Sequence, residues 1–118
     1  MTIQEFYESI HGNYEEVRGR LMKDERILKY LRLFPADENC DNCFAALDAE
    51  DYDTAFRCAH NLKGMCLNLG LGDYTNAAVE LCESLRNGKP AIDLAPLVEA
   101  VKQQRVFVEA QIRALVGE

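Results

Sequence analysis

The 118-residue chain contains no cluster of Lys or Arg and no long apolar run. Its 13 basic residues are outnumbered by 20 acidic ones, for a net charge of −7. A chain without a basic patch has little with which to displace counterions from a phosphate backbone, so nucleic acid is not an expected partner. No stretch approaches the roughly 20 apolar residues of a membrane span, and the start, MTIQEFYESIHGNYEEV, lacks the basic and apolar parts of a secretory leader. The expectation is a cytoplasmic protein that does not engage a membrane.

Cysteine is present, but not in a framework. The five cysteines, at 40, 43, 58, 66 and 82, are odd in number and scattered, which suits free thiols in a reducing compartment better than disulfides. Cys40 and Cys43 form a C-x-x-C with no second C-x-x-C or C-x-x-H to complete a zinc site. Asp37, Glu38 and Asp41 beside them disfavour thiolates, so the pair reads as two small helix-packing residues.

Sustained period-2 alternation is absent too, whereas apolar residues recur at three and four throughout, so the fold is expected to be all-α. Thr2 with Glu5 and Asn13 with Glu16 have capping-box spacing, with Gly12 as a stop between, predicting short helices over 3–10 and 14–22. Asp24 is expected to cap a third, with Ile27, Leu28, Leu31 and Phe34 inward, until Pro35 kinks or restarts the chain. A segment carrying Cys40, Cys43, Phe44 and Leu47 continues to about Glu50.

Asp51 or Asp53 opens the next helix, which runs to Leu69 and stops at Gly70 and Gly72. Asp73 is expected to cap the following one, with a stripe of Tyr74, Ala78, Leu81, Cys82 and Leu85 ending at RNGKP. Asp93 starts the last, in which Leu94, Leu97, Val101, Val108, Ile112 and Leu115 recur at near-heptad spacing. Long amphipathic helices joined by short loops predict a single domain, residues 1–118: an antiparallel four-helix bundle over 24–118 with residues 1–23 as an extra helical cap.

One stretch, AHNLKGMCLNLG at 59–70, holds the chemistry. On a helical wheel Ala55, Cys58, Ala59, Leu62, Met65, Cys66 and Leu69 share one face, while Asp53, Phe56, Arg57, His60, Lys63, Gly64 and Leu67 share the other. His60 therefore points to solvent and is not a core histidine. Phe56 and Leu67 on the same stripe suggest a docking surface with Arg57 beside them; the plainer alternative is two scattered surface hydrophobes. Gly64 costs its helix about 1 kcal/mol relative to alanine, and it opens space beside the imidazole. Lys63 can bring a point charge to a group attached to the ring.

Metal binding fits poorly, because Lys63 repels a cation and no carboxylate stands at 56, 57, 63 or 64. No strand-turn-helix elbow and no G-x-x-x-x-G-K-[ST] loop is present, so an autonomous enzyme is not expected. What remains is a surface histidine whose neutral ring nitrogen can take a phosphoryl group brought by a partner. His11, at a helix end, has no motif around it.

Ala59, His60, Leu62, Lys63, Gly64, Leu69 and Gly70 match the pattern A-H-x-L-K-G followed by L-G, and the stretch resembles the signature of histidine-phosphotransfer (HPt) domains. The similarity spans roughly 24–88. Met65 and Leu67 stand where that pattern usually has small residues. The resemblance implies a four-helix bundle in which His60 is phosphorylated on Nε2 and relays the group between receiver-domain aspartates, from a hybrid sensor kinase to a response regulator. It further implies that Lys63 steadies the phosphoryl group, that Gly64 admits the receiver, and that the Mg2+ sits on the receiver, with no cofactor on this chain. A monomer is expected. The competing expectation is a helical interaction module that binds partners through the same face without accepting phosphate.

Overall fold

In the computed structural model, which describes residues 1–117, seven α-helices follow one another: α1 (Ile3–Ser9), α2 (Tyr14–Leu21), α3 (Asp24–Leu33), α4 (Asn39–Asp48), α5 (Tyr52–Leu69), α6 (Asp73–Leu85) and α7 (Ala95–Val116). A single 3-10 turn, Phe34–Ala36, separates α3 from α4. Pro35 within it denies the chain a helical hydrogen bond, so the arm becomes two helices in succession. The all-α expectation holds.

Helices α4 to α7 form the four-membered core, each packing on the next in sequence. Arg105 of α7 closes the ring onto α4: its guanidinium reaches Asp41 at 2.6 and 3.2 Å and also holds Glu109 at 3.2 Å. It occupies a position in the apolar stripe between Val101 and Val108, and the two carboxylates are what allow a half-buried cation there. Lys102 lies over the Phe44 ring at 5.2 Å, a second α7–α4 contact. Ala55, Ala59, Leu62, Cys66 and Leu69 of α5 meet Tyr74, Ala78, Leu81, Cys82 and Leu85 of α6 in the buried interior.

Cys40 and Cys43 are both free and buried in this core. Burial raises the Cys40 thiol and pushes Cys43 up to about 12, so both are neutral packing groups. The neighbouring acids matter less than the loss of water.

The helix starts differ from expectation in several places. Thr2 and Glu5 do form the reciprocal capping box, at 2.8 and 3.0 Å. At α2 only half of the box exists: Asn13 accepts from the Glu16 amide, while the Glu16 carboxylate turns to Arg20 instead. Asp24 is the first residue of α3 rather than its cap, because its carboxylate is taken by the Tyr14 hydroxyl at 2.6 Å and by Arg18. Asp73 likewise sits inside α6, drawn to the His11 ring at 2.6 Å. Asp93 accepts from the Ala95 amide, and the helix proper begins at that alanine. For Glu16, Asp24 and Asp73 a side-chain donor within reach takes the carboxylate from the backbone amide, whereas Asp93 keeps its amide.

Gly12 is not the stop of α1. His11 takes the left-handed backbone there, with φ of 55°, and Gly12 instead permits close approach, since a Cβ would run into the Gly70 carbonyl. His11 thus has a structural partner and ties this corner to the start of α6.

Candidate functional site

Helix α5 is anchored at both ends. The Asp51 side chain caps its start, accepting from the Thr54 amide at 3.2 Å, which decides between the two candidate caps. Gly70 ends it in the left-handed conformation, with φ of 61°, and a side chain there would collide with Val17. Two contacts from outside the core complete the C-terminal end. Arg20 of α2 donates to the carbonyls of Leu67 and Asn68 at 2.8 and 2.9 Å, placing a cation at the negative end of the helix. The buried Tyr7 hydroxyl donates to the Leu69 carbonyl at 2.7 Å.

The rotation of α5 is set by its apolar face. Ala55, Ala59, Leu62, Cys66 and Leu69 are buried, with Cys58 and Met65 half-buried at the margins. His60 follows Ala59 by about 100° and is exposed. Gly64, one turn further on, is exposed as well, and a Cβ added there would meet nothing within 4 Å. Leu67 completes the stripe at 50% exposure. Arg57 is exposed and donates to the Thr54 hydroxyl at 3.3 Å.

Two residues on this stripe are placed differently from the wheel. Phe56 is only half-buried rather than bare: its ring lies 5.9 Å from the His60 ring at 49°, and the Arg86 guanidinium covers it at 5.4 Å. Lys63 is not a free ammonium, for its side chain is 18% exposed and its Nζ lies 3.8 Å from Oε1 of Glu83. A helical wheel knows nothing of the neighbouring helix, and Glu83 of α6 and Arg86 at its C-terminal cap supply the two partners.

Glu83 and Arg86 are therefore the residues that the sequence reading missed. Arg86 grips the Glu83 carboxylate with Nε at 3.0 Å and a terminal nitrogen at 2.7 Å. That grip holds the Glu83 carboxyl below its ordinary range, with Lys63 and His60 adding smaller effects in the same direction. The only local signal was their i,i+3 spacing on a helix surface, which does not point to His60.

Beside the stripe lies a groove of about 350 Å³ lined by Tyr30, Leu33, Phe34, Asp37, Met65 and Asn68. Leu33 is 60% exposed and Tyr30 39%, so the apolar surface near α5 is larger than Phe56 and Leu67 alone. Among the described residues, no group of three or more His, Cys, Asp or Glu side chains is placed to hold a metal ion. No helix among them is long and apolar enough to cross a membrane.

An exposed histidine halfway along a helix capped at both ends, with open space one turn ahead and a lysine three residues on, defines a helical protein that presents an imidazole to a partner. A family model, Hpt domain, matches residues 35–116, and the chain belongs to the Hpt domain family. No curated protein and no solved structure matches it. Members of this family carry phosphoryl groups in two-component phosphorelays and are in general carriers rather than catalysts. The match takes in α4 to α7 and leaves α1 to α3 outside it, including the Tyr7 and Arg20 contacts that support the end of α5.

Proposed function

We propose that this protein is a phosphorelay intermediate in which His60 takes a phosphoryl group from a receiver-domain aspartate and passes it to another receiver. The observation that carries the reading is the exposure of His60 at mid-helix beside the open space at Gly64. The neutral ring offers Nε2 as the nucleophile. Lys63 supplies positive charge to the transferred group, and Gly64 leaves room for the receiver's active-site loops. Phe56, Arg57 and Leu67 form the surrounding contact, extended by Tyr30 and Leu33 across the adjacent groove. Mg2+ and the remaining catalytic groups come with the receiver. The donor is a hybrid histidine kinase, the carrier works as a monomer, and the exchange takes place in the cytoplasm.

Incubation with a receiver domain charged from acetyl phosphate tests this. Acid-labile label should move onto the wild type and not onto His60→Gln. Binding of the receiver with no label transfer would overturn the relay reading and leave an interaction module.

A further inference from the structure

We propose that Glu83 is the counter-charge of the phosphoryl site, set to compete with a phosphoryl group on His60 for Lys63 and so to drive the group onward. The inference rests on His60 being the acceptor. Three observations carry it. The Glu83 carboxylate lies between two cations, with Lys63 Nζ at 3.8 Å and Arg86 at 2.7 and 3.0 Å. The two cations are held unequally: Arg86 is bound by both its fork and the Phe56 face, whereas Lys63 stands beyond ordinary hydrogen-bond length. Lys63 is also the cation on the same helical face as His60, three residues on.

Lys63 is therefore the shared group. With His60 unmodified it faces Glu83, and a phosphoryl dianion on Nε2 draws it away. That exchange leaves Glu83 with Arg86 alone and brings a carboxylate near new negative charge. Phospho-His60 is disfavoured on both counts, while the unmodified protein is not.

 In the onward step the O–P bond to the receiver aspartate forms as the Nε2–P bond breaks. The electron pair of the broken bond stays on Nε2, and the ring, carrying its proton on Nδ1, leaves as neutral imidazole. Removing the charge at 83 should therefore favour the phosphorylated carrier without touching the reacting atoms.

The test uses the full chain and a receiver domain charged from acetyl phosphate that labels the wild type. The equilibrium ratio of phospho-His60 to phospho-receiver should rise about tenfold in Glu83→Gln at low ionic strength, the effect of a carboxylate and a dianion separated by several ångströms of water. Glu83→Asp keeps the charge and should stay near wild type. The Glu83→Gln effect should shrink in roughly 1 M salt, where the screening length is about 3 Å. A ratio unchanged in Glu83→Gln overturns the proposal, as does an equal, salt-insensitive shift in both variants, which marks a structural role. Failure of the wild type to take label at all refutes the relay reading itself, and is seen before any variant is compared.

Discussion

Gly64 separates what the fold needs from what the partner needs. A Cβ at this position meets nothing within 4 Å, so the core gains nothing from the glycine. Replacing it by alanine should recover the helix-propensity difference, about 1 kcal/mol, and raise the melting temperature of a domain this size by about 4 °C. Gly64→Glu should also leave the bundle at least as stable as wild type, since glutamate is a good helix former. Side chains on a helix lean toward its N-terminus, so a glutamate at 64 lies over the turn that carries His60. Transfer from a charged receiver should fall modestly in the alanine variant and about a hundredfold in the glutamate variant, the scale of loss that small misplacements of reacting groups produce. Thermal melts followed by circular dichroism, beside the rate of label transfer, read both quantities. Gly19, in α2, also has open space at its Cβ and supplies the control: Gly19→Ala should gain similar stability with no change in transfer. A less stable Gly64→Ala, or a folded Gly64→Glu that transfers at the wild-type rate, would refute the reasoning.

Three other outcomes are expected. Lys63→Ala should slow transfer several-fold and change stability, read from urea midpoints, by less than about 1 kcal/mol, because its pairing with Glu83 is long and partly screened. Tyr7→Phe should cost about 1–2 kcal/mol in the same assay, since it strips the Leu69 carbonyl of a buried donor. The Arg105 guanidinium holds the Asp41 carboxyl below its ordinary 3.8. A depressed carboxyl stabilises the fold above its unfolded value and loses that contribution as pH falls through the folded one. Asp41→Asn should therefore be less stable than wild type at pH 7, with the gap closing as the pH drops below about 4; a gap that stays constant to pH 3 would contradict it.

The elements were legible wherever one helix could be considered alone. The boundaries of α5, the inward set from Ala55 to Leu69 and the outward direction of His60 all follow from a repeat of 3.6 residues meeting an apolar interior. Legibility failed where a side chain had a choice of partner. Asp24, Asp73 and Glu16 all stand where a cap or capping box would use them, yet each carboxylate is held elsewhere: Asp24 by Tyr14 with Arg18 and Asp73 by His11, which lie outside their helices, and Glu16 by Arg20, an i,i+4 neighbour that competes with the capping box. Arg105 was equally hidden, a cation in an apolar stripe made tolerable by an aspartate 64 positions away.

From the order of its residues alone, this protein was committed to an all-helical fold with an imidazole facing water beside a glycine and a lysine. That much depends on local periodicity, which every turn of helix repeats. Only the packing of α6 against α5 decided that the lysine would face Glu83 and that Phe56 would lie under Arg86. Those contacts join residues about 20 to 30 positions apart, and charges pair according to distance in space, which the chain acquires only when its helices dock.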